Sequence, residues 1–262
     1  MKPIGLQMYT LREEAAKDFV GVLKTVADIG YKGVEWAGMH GHDPKEIKRI
    51  IDDLGLVVCS NHSSLPTREN IQQIVEFESI FGNKRVISGF GPDDMKTVDQ
   101  CKAVAAKFAE AAELLKPYGM TYGFHNHWWE FGIVDGKYAY DILMAEAPNV
   151  FSELDVYWCQ FGKGDPLAAL KKYGKRIPLL HVKDGMLQEP HPHTAVGAGK
   201  LDMPAIIGAA DPNVCDWMIV ELDACATDMT EAVRDSYNYL VGKGLAEGNK
   251  KVGGCCCGCG GG

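Results

Sequence analysis

Short apolar runs along this chain alternate with longer stretches in which apolar positions recur roughly every three or four residues, the signature of strands alternating with amphipathic helices. Residues 4–9 form the first run, and Phe19, Val20, Leu23, Val26 and Ala27 then hold one helical face until Gly30 stops it. Residues 33–36 read as strand two. Asp43 and Pro44, with Glu46, supply an N-cap, a first-turn proline and a capping-box partner for a helix ending at Gly55. Residues 56–62 are strand three, Thr67 opens a helix through Ile80, and residues 85–89 are strand four, ending in a glycine turn. The next helix keeps Val98, Cys101, Val104, Ala105, Phe108, Ala112 and Leu115 on one face, and Tyr118-Gly119 closes it.

The second half keeps the same beat. After a strand beginning at Tyr122 come a helix over 139–147, a strand over 150–155, a helix opened by Asp165-Pro166 and a strand over 177–182. A long loop over 189–200 precedes a short helix over 204–209, then a strand over 217–222 and a helix over 228–241. Eight strands alternating with eight helices predict an α/β fold with a parallel sheet, closed by right-handed crossovers into a (β/α)8 TIM barrel over residues 1–246. A doubly wound open sheet would want a glycine-rich phosphate turn opening an early helix, and none is present.

At 262 residues and 46% apolar content, one barrel can bury a full core. A formal charge of -8, without a lysine or arginine cluster, argues against a nucleic-acid partner. It also argues against phosphodiester cleavage in DNA, which would need a basic groove. The expected partner is a small neutral molecule or a metal ion. With no apolar run of about eighteen residues and no leader ahead of the first strand, the sequence predicts a cytoplasmic protein with no membrane partner. Five cysteines, at 59, 101, 159, 215 and 225, have no zinc-type spacing and read as buried thiols of a reducing compartment. The other four crowd a Gly/Cys-rich tail over 247–262, read as disordered or foreign to the fold. The apolar face over 74–81 has enough surface for a homodimer, and a helix face buried within the chain explains it equally.

The candidate chemistry falls in one register. Residues 122–131 read Tyr-Gly-Phe-His-Asn-His-Trp-Trp-Glu-Phe, and strand alternation points His125 and His127 the same way, with Glu130 in the following loop. Other predicted strands end in Glu35, Asn61-His62, Asp155, His181 with Lys183-Asp184, and Glu221 with Asp223. In a barrel of this type the carboxyl ends of the strands build the active site. Glu130, Asp155, His181 and Glu221 would offer three carboxylates and one imidazole, a hard set suited to Mn²⁺ first, with Mg²⁺, Co²⁺ or an open-site Zn²⁺ also served. Such an ion holds adjacent sugar oxygens, polarises the carbonyl and stabilises an enediolate while carboxylates move protons. His125, His127 and Glu130 compete for the strand-five ligand position.

These residues resemble the xylose-isomerase-like superfamily of sugar isomerases and epimerases, which includes inosose dehydratases and ketose 3-epimerases. The resemblance rests on Gly5-Leu6-Gln7 with Tyr9, Gly30-Tyr31-Lys32-Gly33-Val34-Glu35, His125-Asn126-His127 with Glu130-Phe131, Leu154-Asp155-Val156-Tyr157-Trp158, Asp165-Pro166, His181-Val182-Lys183-Asp184 and Glu221-Leu222-Asp223. It implies a metal held at Glu130, Asp155, His181 and Glu221, and an isomerase or epimerase that abstracts a proton next to the carbonyl of a small sugar or keto-sugar. One departure is visible: where the epimerases carry a glutamate in strand five this chain has His125, so either Glu130 reaches back or a histidine replaces it. The His-Asn-His and Lys-Asp pairs resemble enzymes that eliminate or hydrate at oxidised sugars and cyclitols, which makes a lyase the alternative. Glu130, Glu221, Lys183 and His127 are the candidates for proton transfer and charge stabilisation, and Glu35, His62, His125 and Trp158 for holding substrate. A sugar-binding barrel without chemistry is disfavoured because Asp155, His181 and Glu221 are all present.

Overall fold

The computed structural model describes residues 1–189 and 193–252. Eight parallel strands form the barrel: β1 (Lys2–Gln7), β2 (Gly33–Trp36), β3 (Val57–His62), β4 (Arg85–Ser88), β5 (Thr121–His125), β6 (Phe151–Asp155), β7 (Leu179–Val182) and β8 (Trp217–Val220). Each pairs with the next, and β8 pairs back onto β1 through Ile4 with Met218 and Leu6 with Val220, so the sheet closes as a TIM barrel. Around it lie α1 (Arg12–Ile29), α2 (Pro44–Asp53), α3 (Ile71–Phe81), α4 (Val98–Leu115), α5 (Ala139–Glu146), α6 (Val156–Phe161), α7 (Pro166–Tyr173), α8 (Met203–Ala209) and α9 (Met229–Gly242). Asp43 caps α2 by accepting the Lys45 N–H, and Asp165 caps α7 by accepting that of Leu167. Among the described residues no helix is long and apolar enough to cross a membrane.

Alternation along the strands separates two cores. Ile4, Leu6, Val34, Trp36, Tyr122 and Leu180 join the large core that includes helix residues such as Phe19, Phe108 and Leu240. Cys59, Ile87, Leu179 and Ile219 form a second, smaller cluster with Phe151 and Trp217 against it. Two glycines make room for those rings. A Cβ on Gly123 would lie 2.2 Å from the Phe151 ring, and one on Gly33 2.8 Å from that of Trp217. This apolar plug fills the barrel at one end and leaves the polar residues to the other, where the strands finish.

The structure moves several predicted boundaries. β1 stops at Gln7, whose side-chain oxygen accepts the Tyr9 N–H and turns the chain into a 3-10 segment over Met8–Leu11. α3 begins at Ile71 rather than Thr67, because the Asn70 side chain takes the Thr67 N–H and holds 67–70 as a turn. β5 ends at His125, so His127 lies beyond the strand and Glu130 in a 3-10 turn over Trp129–Phe131. The sequence pattern does not predict α6, a short helix that Asp155 opens by accepting the Trp158 N–H. The five body cysteines are free thiols, four of them buried. Ala246 and Glu247 pair with Lys2 and Pro3, and Lys250 exchanges hydrogen bonds with the Tyr237 hydroxyl, so residues up to 252 lie against the barrel. The Gly/Cys-rich part of the predicted tail, 253–262, is outside the described residues.

Candidate active site

The strand ends converge on a buried polar floor. β6 places Glu153 and Asp155 two residues apart, hence on one face, directed inward with His125 from β5, His181 from β7 and Glu35 from β2. Glu221 follows the last residue of β8. His181 stands at the centre: its Nδ1 is 2.9 Å from Glu221 Oε2, and its Nε2 is 2.7 Å from Glu35 Oε1 and 3.1 Å from Glu153 Oε2. His62 Nε2 lies 2.6 Å and His125 Nδ1 3.3 Å from that same Glu153 oxygen. Lys183 binds Asp155 at 3.1 Å, Glu221 at 2.9 Å and Asp223 at 2.8 Å.

Neighbouring groups fix these side chains. The Asn126 amide accepts the Asp155 N–H at 3.0 Å and donates back to the Asp155 carbonyl at 3.2 Å, extending the β5–β6 ladder by one side chain. Asp155 Oδ1 caps α6 by accepting the Trp158 N–H at 2.8 Å, and Oδ2 is the oxygen near Lys183. Below them, Glu35 accepts from the Gln7 amide at 2.5 Å and from the Ser60 hydroxyl.

Burial and charge work against each other here. Burial would lower the pKa of His181, but Glu153, Glu35 and Glu221 outweigh it and raise it well above the usual range. Burial would push Glu153 and Glu221 up; the cationic partners, His181 and His62 for Glu153 and Lys183 and His181 for Glu221, hold both well below the ordinary carboxylate range. Lys183 is raised by Asp155, Glu221 and Asp223 despite burial, so it stays an ammonium. His125 and His127 are pushed down to about 3, chiefly by burial, and are neutral imidazoles.

Two sets of four donors result, each with its ligand atoms within 4.8 Å of one another: His125, Asp155, His181 and Glu221, and below them His62, His125, Glu153 and His181. This buried cluster can hold a metal ion. The donor chemistry fits, because imidazole and carboxylate are the ligands of a divalent transition ion; without one the carboxylates are offset by His181, His62 and Lys183, and an ion would take over that role as His181 gives up its proton.

Above the floor opens a cavity of about 630 Å³, within the range of small-molecule sites. His62, His125, His127, Trp158 and Glu221 line it, as do Tyr9, Trp128, Trp129, His193 and Asp223. His127 stacks on Trp129 with centroids 4.1 Å apart, and Trp128 packs on Trp158 at 4.7 Å. Of the residues singled out in the sequence, Asp155 and His181 lie in the floor and Glu35 beneath it. Lys183 is fully buried and directs its ammonium to three carboxylates. Glu130 is buried outside both donor sets; its Oε2 accepts the His127 N–H at 2.8 Å, and burial raises its pKa to about 8. His125 occupies the strand-five position. Glu153 is not singled out in the sequence, although its spacing of two from Asp155 places it on the same face, nor is His193 on the wall, while Tyr9, which enters the resemblance without a role, lines the wall as well.

This barrel and its polar floor define a class. Residues 23–241 match the xylose isomerase-like TIM barrel family, and the chain belongs to it. Over 241 residues it is 23% identical to the rhizopine catabolism protein MocC of Rhizobium meliloti, an alignment spanning 77% of this chain and 73% of that protein. A sugar phosphate isomerase/epimerase from Parabacteroides distasonis, known from its crystal structure, superposes with a TM-score of 0.79 at 27% identity, over 94% of this chain and 96% of its own. The probable 3-DHS dehydratase AsbF of Bacillus anthracis shares the fold with a TM-score of 0.71 at 13% identity, over 91% and 98% of the two chains.

Proposed function

We propose that the protein is a divalent-metal-dependent isomerase or epimerase that removes a proton beside the carbonyl of a sugar or keto-sugar. The observation that carries this reading is the His125, Asp155, His181 and Glu221 set at the foot of the cavity. These four would hold the ion, the two carboxylates suiting Mn²⁺ and the two imidazoles suiting Zn²⁺ or Fe²⁺. When bound, it would polarise a carbonyl oxygen and offset the negative charge that grows there as the neighbouring carbon loses its proton. The chain's own groups supply the rest. Glu221 stays ionised beside Lys183 and can take a proton from a substrate in the cavity. His62 reaches the same cavity from β3; burial would lower its pKa, but Glu35 and Glu153 raise it, so it can return a proton. His127, neutral, serves a sugar hydroxyl as a hydrogen-bond partner.

One observation favours a second reading. β5 brings an imidazole to the floor, so the proton-transfer pair facing the cavity is a carboxylate and a histidine rather than two carboxylates. That pair also suits elimination from a keto-sugar or keto-cyclitol, with His62 protonating the departing hydroxyl. Both readings are tested by stripping the protein with chelator, resupplying Mn²⁺ and incubating it with keto-sugars and keto-cyclitols in D₂O. Metal-dependent deuterium uptake beside the carbonyl is expected, with product mass and NMR separating an epimer or isomer from a dehydrated product. Tight binding of a sugar with no exchange would instead make this a binding protein.

A further inference from the structure

Barrels of this architecture commonly bind phosphate esters with backbone N–H groups of the loops after the seventh and eighth strands. The loop after β7 does form such a cradle. It is filled by the chain's own carboxylate: Asp184 Oδ1 accepts the N–H groups of Gly185 at 2.8 Å and Leu201 at 3.2 Å. Its Oδ2 accepts those of Gly197 at 3.0 Å and Gly199 at 3.1 Å. The fit is close, since a Cβ on Gly199 would lie 2.0 Å from Asp184 Oδ1, and Gly197 holds a φ of +90°. Asp184 is fully buried, so these four donors are spent inside the fold.

His62, whose pKa its carboxylate neighbours raise, lines the cavity but is already paired with Glu153 at 2.6 Å. Among the described residues lining it there is no lysine or arginine, while Glu221 and Asp223 bring two carboxylates to its wall. The nearby cations are committed. Lys183 binds Asp155, Glu221 and Asp223, and Arg12 donates to the carbonyls of Tyr9 and Asp223 with its guanidinium over the Tyr9 ring. What the wall does present is aromatic: Tyr9, Trp128, Trp129 and Trp158, surfaces for the apolar face of an uncharged sugar ring.

We propose that this site takes an uncharged sugar, free or as a glycoside, and rejects its phosphorylated counterpart. The inference rests on the sugar-transforming reading above and names its substrate class. It is tested by titration calorimetry and by the D₂O assay, using D-fructose and D-ribulose against their terminal phosphate esters, together with thermal melts in inorganic phosphate. The uncharged member of each pair should bind and exchange about tenfold or more better, because bringing like charges together is costly. Inorganic phosphate should leave the melting temperature of the wild type unmoved. In Asp184→Ala, which empties the cradle, phosphate should raise it; the wild-type results decide the matter should that variant fail to fold. A phosphate-dependent rise in the wild type, or equal or better binding of the phosphorylated sugars, would overturn the proposal. Uncharged sugars that bind without exchange would leave it standing and defeat the reaction. Exchange on phosphorylated sugars alone would do the reverse.

Discussion

Glu153 is absent from the cavity wall, yet one of its oxygens meets three imidazoles, those of His62, His125 and His181. For His125 and His181 it faces one ring nitrogen and leaves the other toward Asp155 and Glu221. A carboxylate so placed fixes which nitrogen keeps its proton and which is free to ligate, and losing such a partner costs about 10–100-fold in metal affinity. We therefore expect Glu153→Gln to weaken Mn²⁺ binding by that order, measured by competition with a metal-sensitive dye on folded protein. Unchanged affinity would show that the histidines are held by other means. The carboxylate was hidden in the sequence by context: Phe-Ser-Glu-Leu-Asp reads as a half-buried strand with one polar end, and only spacing separates Glu153 from a surface residue.

At the level of elements, strand order and helix placement were readable because each strand–helix unit repeats the same periodicities and its stops carry chemistry, as Asp43-Pro44 and Asp165-Pro166 do. Strand ends were not. Period-two alternation says which residues share a face, but not where pairing ceases, and β5 ceases at His125 because Asn126 turns its amide onto β6. Glu130, five positions farther on, is thereby carried away from the donor sets. The Asp184 cradle was equally illegible, since its donors come from residues 185–201 and are backbone groups. Glycines in strands, by contrast, mark close approach. Gly123→Ala should push on the Phe151 ring and cost roughly 1–3 kcal/mol by urea denaturation. Adding Phe151→Leu should recover part of that loss; a neutral Gly123→Ala would mean that the plug is loosely packed.

For the whole molecule, the concentration of buried acids and imidazoles makes stability a function of pH. Glu130 isolates one contribution, because it stands outside both donor sets and is raised by burial to about 8 from an ordinary value of 4.5. The folded state holds that proton where the unfolded chain has released it. Stability from this group is thus fully present below pH 4.5 and is lost as pH rises toward about 8, with a slope of at most about 1.4 kcal/mol per pH unit. Glu130→Gln should flatten the pH profile of urea denaturation over that window. A slope unchanged by the substitution would assign it to other groups.

The tryptophans are unevenly spread. Trp128, Trp129 and Trp158 stand around the cavity, whereas Trp36 is buried behind β2 and Trp217 fills the opposite end beneath Gly33. Intrinsic emission therefore divides into a constant background from two indoles and a signal from three that face whatever enters. A ring laid over Trp128 would drive water from it and move its spectrum, and a paramagnetic ion in the floor would quench the same three first. The barrel carries its own optical gauge, able to report occupancy at the mouth without label or coupled assay.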